Sequence, residues 1–190
     1  MAKQKIIVGF TGYSAAGKST AARHISETLS VPYYGLGTYE RAKFGHLGSP
    51  VEYHRKLGTD ITYYGLYKEH IEQIRSRFSN GSIVIESLYA PDFVSLLRKT
   101  FQGFEIKIIH VYAPKEVRIT NFATKAGISH AESEKYLDAL DAIKIGFGLL
   151  EMIRKADIVV ENRIGLSKFL RDIDIAASRL SSSVSEWKKQ

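Results

Sequence analysis

The chain reads Gly12-Tyr13-Ser14-Ala15-Ala16-Gly17-Lys18-Ser19, a full match to G-x-x-x-x-G-K-[ST], with Thr20 following. Such a loop wraps phosphate oxygens with successive backbone N–H groups, so its backbone must turn tightly and approach the ligand closely. Gly12 and Gly17 permit both. A helix must start directly after the loop, because its first N–H groups and its dipole complete the phosphate site. A buried strand must lead in. The segment Lys5–Thr11 (KIIVGFT) is short, apolar and β-branched, and Ser19–Leu29 has helical spacing with Ala22, Ile25 and Leu29 on one face. The motif therefore sits in the strand–loop–helix setting that its chemistry requires.

The same alternation continues down the chain. Strands are predicted at Val31–Leu36, Ser82–Glu86, Glu105–Tyr112 and Asp157–Glu161, after the first at Lys5–Thr11. Between them helices are predicted at Thr38–Phe44, with Thr38 as N-cap, and over Val51–Phe78, with a break near Gly58 or Gly65. Further helices fall at Pro91–Thr100, Pro114–Ala126, within His130–Lys155 with an interruption at Gly146-Phe147-Gly148, and at Leu166–Leu180. Alternating strands and helices imply an α/β fold, a parallel sheet with helices on both faces. Residues 1–180 read as one domain and the serine-rich 181–190 as a flexible tail.

Composition narrows the function. The chain has no cysteine, which excludes a disulfide scaffold, a zinc-thiolate site and a catalytic thiol. No stretch approaches the apolar length of a membrane helix, and the first residues lack a secretory signal, so a cytoplasmic protein is expected. The formal charge of +7 favours anionic partners. A GTPase would also need N-K-x-D and D-x-x-G, and neither occurs.

With the loop in place, the chain resembles the P-loop nucleoside monophosphate kinase superfamily, nearest its dephospho-coenzyme A kinase-like and archaeal nucleotide-kinase-like branch. Three further stretches carry the resemblance. Tyr34-Gly35-Leu36-Gly37-Thr38-Tyr39-Glu40-Arg41 is similar to the segment after strand two, where an arginine grips the acceptor's phosphate; this implies Gly37 and Arg41 as acceptor-binding residues. Ser82-Ile83-Val84-Ile85-Glu86 is similar to strand three, whose terminal acid stands near Mg²⁺ and the nucleophile; Glu86 takes that place, although Ser87, Leu88 and Tyr89 follow where relatives carry Gly-Ile-Arg. Gly146 to Asn162 is similar to the last long helix and strand, after which a loop lies against adenine. This implies Arg163 or Ile164 at the base.

The resemblance implies a three-layer P-loop kinase fold with sheet order 2-3-1-4-5, an acceptor-side helical region at about 37–79 and a small lid at about 122–133. It implies ATP and Mg²⁺, with Gly12, Tyr13, Ser14, Ala15, Ala16, Gly17, Lys18, Ser19 and Thr20 around the phosphates and Ser19 and Glu86 toward the metal. Lids of this type supply arginines to the transferring group. Arg118 matches one, but no arginine lies between it and Arg154, so Lys125 or Lys144 is expected to substitute. Lys18, as a loop lysine, is expected to be exposed.

The leading expectation is transfer of a γ-phosphoryl group to a nucleotide-like acceptor. A nucleoside monophosphate comes first, receiving on phosphate, and dephospho-coenzyme A second, receiving on a ribose hydroxyl. The alternative is a nucleotide-binding regulator or nucleic-acid-associated ATPase, for which the arginine-poor lid and basic charge speak. Monomer and homodimer both remain open. Tyr33, Tyr34, Tyr39, Tyr53, Tyr63, Tyr64 and Tyr67 crowd the acceptor side, as a packing surface more than as base-stacking groups.

Overall fold

A computed structural model describes residues 5–57, 61–78, 81–163 and 165–180. Its elements in chain order are β1 (Ile6–Thr11), α1 (Lys18–Leu29), β2 (Tyr33–Gly35), α2 (Leu36–Phe44), a short 3₁₀ turn (Gly45–Leu47), α3 (Pro50–Leu57), α4 (Ile61–Arg77), β3 (Ile83–Glu86), α5 (Pro91–Thr100), β4 (Glu105–Tyr112), α6 (Lys115–Ala126), α7 (His130–Gly146), α8 (Leu149–Arg154), β5 (Ile158–Glu161) and α9 (Leu166–Leu180). The five strands form one sheet in the order β2-β3-β1-β4-β5, and every pairing is parallel.

β1 lies at the centre and all six of its residues are buried. Period-two alternation sends its side chains into two cores. Ile6, Val8 and Phe10 join Ala21, Ala22 and Ile25 of α1 and Phe169 and Ile173 of α9. Ile7 faces the other way, with Ile83, Ile85, Phe93, Leu97, Leu149 and Met152. Gly9 is on this second face, and a Cβ there would meet Leu88 Cδ1 at 2.2 Å. The missing side chain lets the segment after β3 lie directly on the central strand, where the Leu88 N–H donates to the Phe10 carbonyl at 2.9 Å.

Some boundaries differ from the sequence reading. The second strand is only three residues long, and α2 begins at Leu36 rather than after Thr38. Gly35 takes the cap position, and the Thr38 hydroxyl, one turn in, accepts from Arg41 Nη2 at 3.3 Å. Helix α4 runs through Gly65 unbroken. The other expected break, Gly58, lies outside the described residues, as do Ile164 and the tail 181–190. The interruption at Gly146-Phe147-Gly148 is present: Gly148 has φ 104°, and a Cβ there would meet the Pro91 ring at 2.6 Å. Helix α7 starts with a reciprocal capping box. The Glu132 N–H donates to Ser129 Oγ, and the Ser129 N–H donates to the Glu132 carboxylate. Among the described residues no helix is long and apolar enough to cross a membrane.

Candidate active site

β1 has β3 on one side and β4 on the other, so the loops leaving these strands diverge above their carboxyl ends. That is where open α/β sheets bind ligands. The loop 12–17 occupies this point. Gly12 has φ 132°, and a Cβ on it would meet the Val111 carbonyl at 2.4 Å; Gly17 has φ 105°, and a Cβ would meet Asn162 Nδ2 at 2.6 Å. No other residue type fits either position without strain. Lys18 opens α1 and is buried, not exposed, with its Nζ donating to the Tyr13 carbonyl at 2.6 Å. Burial, seconded by the charge of Lys144, lowers its pKa to about 7. Ser19 and Thr20 are exposed toward the cleft.

The loop is held from behind by α6 and α7. The Ser14 N–H donates to Asp141 Oδ1 at 3.0 Å, its carbonyl accepts from Arg118 Nη1 at 3.2 Å, and its hydroxyl accepts from Lys144 Nζ at 3.0 Å. Arg118 also pairs with Asp141 Oδ2 at 2.5 Å and lies over the Tyr13 ring. Both members of that pair are buried. Two amides finish the support: Asn121 Nδ2 donates to the Ala15 carbonyl at 3.4 Å and Asn162 Nδ2 to the Ala16 carbonyl at 3.0 Å. Ala15 itself adopts a left-handed φ of 59°.

In front of the loop opens a cleft of about 750 Å³. Its walls gather twelve of the seventeen residues the sequence singled out: Ser14, Ala15, Gly17, Lys18, Ser19 and Thr20 from the loop and α1, Gly37 and Arg41 from α2, Glu86 from β3, Lys125 from α6, Lys144 from α7 and Arg163 after β5. The structure brings Arg118 to the back of the loop instead. Lys125 is exposed at the end of α6, whereas Lys144 is buried and burial lowers its pKa. Arg163 is exposed, 3.6 Å from Glu161 and with its guanidinium over Tyr112.

The sequence reading passed over Asp141, Glu40, Tyr89 and Asn162. Glu40 is 3% exposed, receives the Tyr89 hydroxyl at Oε1 and lines the cleft. Burial raises its pKa to about 7 against the pull of Tyr89 and Lys144. Asp141 had one visible signal, its place three residues before Lys144 on a shared helix face. Of the tyrosines, Tyr53 and Tyr67 are buried in packing and Tyr39 stacks on His70, as a packing surface requires, while Tyr53 also lines the cleft.

A hard divalent cation takes oxygen ligands, few from protein when phosphates and water supply the rest. The Ser19 hydroxyl and the Glu86 carboxylate, both on the cleft wall, match that donor set. Ser87 Oγ donates to Glu86 Oε1 at 2.5 Å and the Tyr33 hydroxyl to Oε2 at 3.2 Å, which fixes the carboxylate plane. No group of three or more acidic, histidine or cysteine side chains stands ready for a metal among the described residues.

No family model matches the chain. A UPF0200 protein of Pyrococcus abyssi is 24% identical over 188 residues, covering 92% of this chain and 97% of that one. A UPF0200 protein of Methanosarcina mazei is 25% identical, covering 94% and 97%. Among solved structures, a gluconokinase from Sinorhizobium meliloti superposes with TM-score 0.65 at 15% identity and full coverage of both chains. A sugar kinase from Janibacter gives 0.63 at 15% identity, covering 95% and 97%. A shikimate kinase from Acinetobacter baumannii, in complex with shikimate, gives 0.58 at 17%, covering 96% and 94%. With its five parallel strands in the order β2-β3-β1-β4-β5, the chain has the fold of the P-loop kinases.

Proposed function

We propose that residues 1–180 act as one catalytic unit, an ATP-dependent phosphotransferase that moves the γ-phosphoryl group of Mg-ATP to a small, nucleotide-like acceptor. One observation carries this reading. The phosphate-binding loop forms one wall of a cleft, and a separate wall presents Arg41, so donor and acceptor anions have distinct cations in one space. A protein that only binds nucleotide has no use for the second wall.

Phosphoryl transfer is mostly positioning and charge neutralisation. Backbone N–H groups of the loop and Lys18 hold the donor phosphates. Ser19 and Glu86 would hold the Mg²⁺, which would supply neutralising charge to the donor phosphates. Lys144 reaches the loop at Ser14 and supplies the charge that an arginine supplies elsewhere. Lys125 lines the cleft, in the region 122–133 that we assign to the lid. Arg163 packs against the base, and Arg118 acts through the loop, whose shape it keeps. Arg41 orients the acceptor, and Glu86 takes or relays its proton.

The test is acceptor-stimulated ADP release across nucleoside monophosphates, dephospho-coenzyme A and sugars. The reading requires at least one acceptor to stimulate release, and Lys18→Ala to abolish the stimulation. The second reading, a nucleotide-binding regulator, is favoured by the lack of arginines between Arg118 and Arg154 and by the charge of +7. Slow hydrolysis indifferent to every acceptor, with salt-sensitive RNA or DNA binding, would select it.

A further inference from the structure

The acceptor wall carries an uneven distribution of charge. Arg41 stands in the cleft, donating to the Thr38 hydroxyl at 3.3 Å, and among the described residues it pairs with no carboxylate. One residue earlier, Glu40 presents a buried carboxyl group to the same space, with Tyr89 bonded to it. Glu86 adds a second carboxylate nearby. The other cation on this side, Lys144, is already engaged with Ser14 Oγ and lies among Glu40, Asp141 and Glu86. His54 lines the wall too, and burial holds it neutral, with a pKa of about 4. The remaining polar groups are the phenols of Tyr53, Tyr89 and Tyr136 and the Ser87 hydroxyl.

We infer that the acceptor is an alcohol: a small molecule that offers a hydroxyl to the γ-phosphoryl group and carries one anionic group for Arg41, rather than one that receives on its own phosphate. The inference rests on the phosphotransferase reading and narrows it. A phosphate acceptor brings a dianion up to the γ-phosphate and needs cations on every side. Here it would meet the buried Glu40 carboxyl group beside Arg41, which repels it once ionised, and a dianion has no proton to offer that group. An alcohol adds no charge, and its O–H is a donor for which a carboxylate is the stronger acceptor. With its pKa near 7, Glu40 becomes a carboxylate as pH rises through neutrality.

In the step, the acceptor oxygen forms a bond to the γ-phosphorus while the bond from that phosphorus to the β,γ-bridging oxygen breaks. ADP leaves with the electron pair. The hydroxyl proton is released to solvent as that bond forms. Glu40 reads the hydroxyl face of the acceptor, and Arg41 its single anion.

The test uses the full chain with Mg-ATP and two arms of acceptor. One arm holds hydroxy acids (glycerate, gluconate); the other holds alcohols bearing a phosphate or diphosphate ester (glycerol phosphate, AMP, dephospho-coenzyme A). Phosphorus NMR reads the product. The expected product is a new phosphomonoester, and the responding arm identifies the anion that Arg41 takes. A new phosphoanhydride would overturn the inference and leave the phosphotransferase standing. Failure of every acceptor would remove both.

For the responding acceptor, Glu40→Gln is expected to raise KM roughly tenfold or more, with KM for ATP within about twofold. Tyr89→Phe should move KM in the same direction by less. Thermal melts check that both variants fold. An unchanged acceptor KM in two folded variants would overturn the assignment of this wall to the hydroxyl.

Discussion

The Ser14 N–H donates to the Asp141 carboxylate at 3.0 Å across 127 positions of sequence, with both residues buried. Arg118 completes the arrangement by reaching both the same carboxylate and the Ser14 carbonyl. One loop residue thus has its backbone donor and acceptor fixed by a single ion pair. Asp141→Leu strands a buried guanidinium and is expected to cost about 3–5 kcal/mol in urea unfolding. The double variant Arg118→Met, Asp141→Leu removes the stranded charge and should cost only about 1–3 kcal/mol, for the orphaned Ser14 N–H. Equal losses in single and double variants would show that the pairing is not what holds the site.

Lys18→Ala is expected to lower turnover roughly 10²–10³-fold. The melting temperature should hold, although the side chain is buried. Its ammonium is desolvated and repelled by Lys144, with a pKa of about 7 where lysine ordinarily has 10.5. Removing such a group relieves the folded state. Wild-type turnover, or a large drop in melting temperature, would each contradict this account.

The two lysines offered as arginine substitutes separate in the structure. Lys144 is buried and bonded to the loop, while Lys125 is exposed at the rim. Lys144→Met should reduce kcat about 100-fold with little change in KM for ATP. Lys125→Met should stay within about threefold of wild type in both constants. The reverse ranking, measured by steady-state kinetics, would transfer the role to the rim.

His70 is stacked between Tyr39 and Phe93, 4% exposed, with no partner for either ring nitrogen among the described residues. Burial lowers its pKa from 6.5 to about 4. The folded state therefore favours neutral imidazole. Its contribution is complete above pH 6.5 and is lost as pH falls through about 4, a loss of about 3 kcal/mol. His54 titrates in the same direction. Glu40, with its raised pKa, works in the opposite one, so the informative quantity is the difference between variant and wild type. His70→Phe should flatten the fall in stability between pH 6.5 and 4 without lowering stability at neutral pH. Parallel curves for the two proteins would exclude His70 as a source of acid sensitivity.

The loop and the strand alternation were legible because each is a local pattern: glycines at fixed spacing, and apolar runs bounded by turns. The break at Gly148 was legible for the same reason. Thr38 suits a cap by its type, while tertiary packing of Leu36 starts the helix three residues, most of a turn, sooner. The partners of Asp141 and Glu40 were illegible. Periodicity places each on a helix face, yet their partners, Ser14 and Tyr89, come from loops after other strands. Which loops meet is set by strand order, and charge spacing along one helix carries no record of it. Arg118 was found for its type and sent to the wrong side of the loop, since an arginine aimed at phosphate and one aimed at a carbonyl look alike in sequence.

Gly9 touches no candidate ligand group, yet the floor of the acceptor pocket depends on it. Its bare backbone lets Leu88 lie against the central strand, and the next residue is Tyr89, whose hydroxyl holds Glu40. A methyl group at position 9 would overlap the Leu88 methyl, and that fully buried side chain would have to repack beneath Tyr89. In a mutational survey scored by activity, Gly9 would then register as a specificity residue, losing acceptor while keeping nucleotide. The selectivity of the pocket is inherited in part from the middle of the sheet, where no substrate ever arrives.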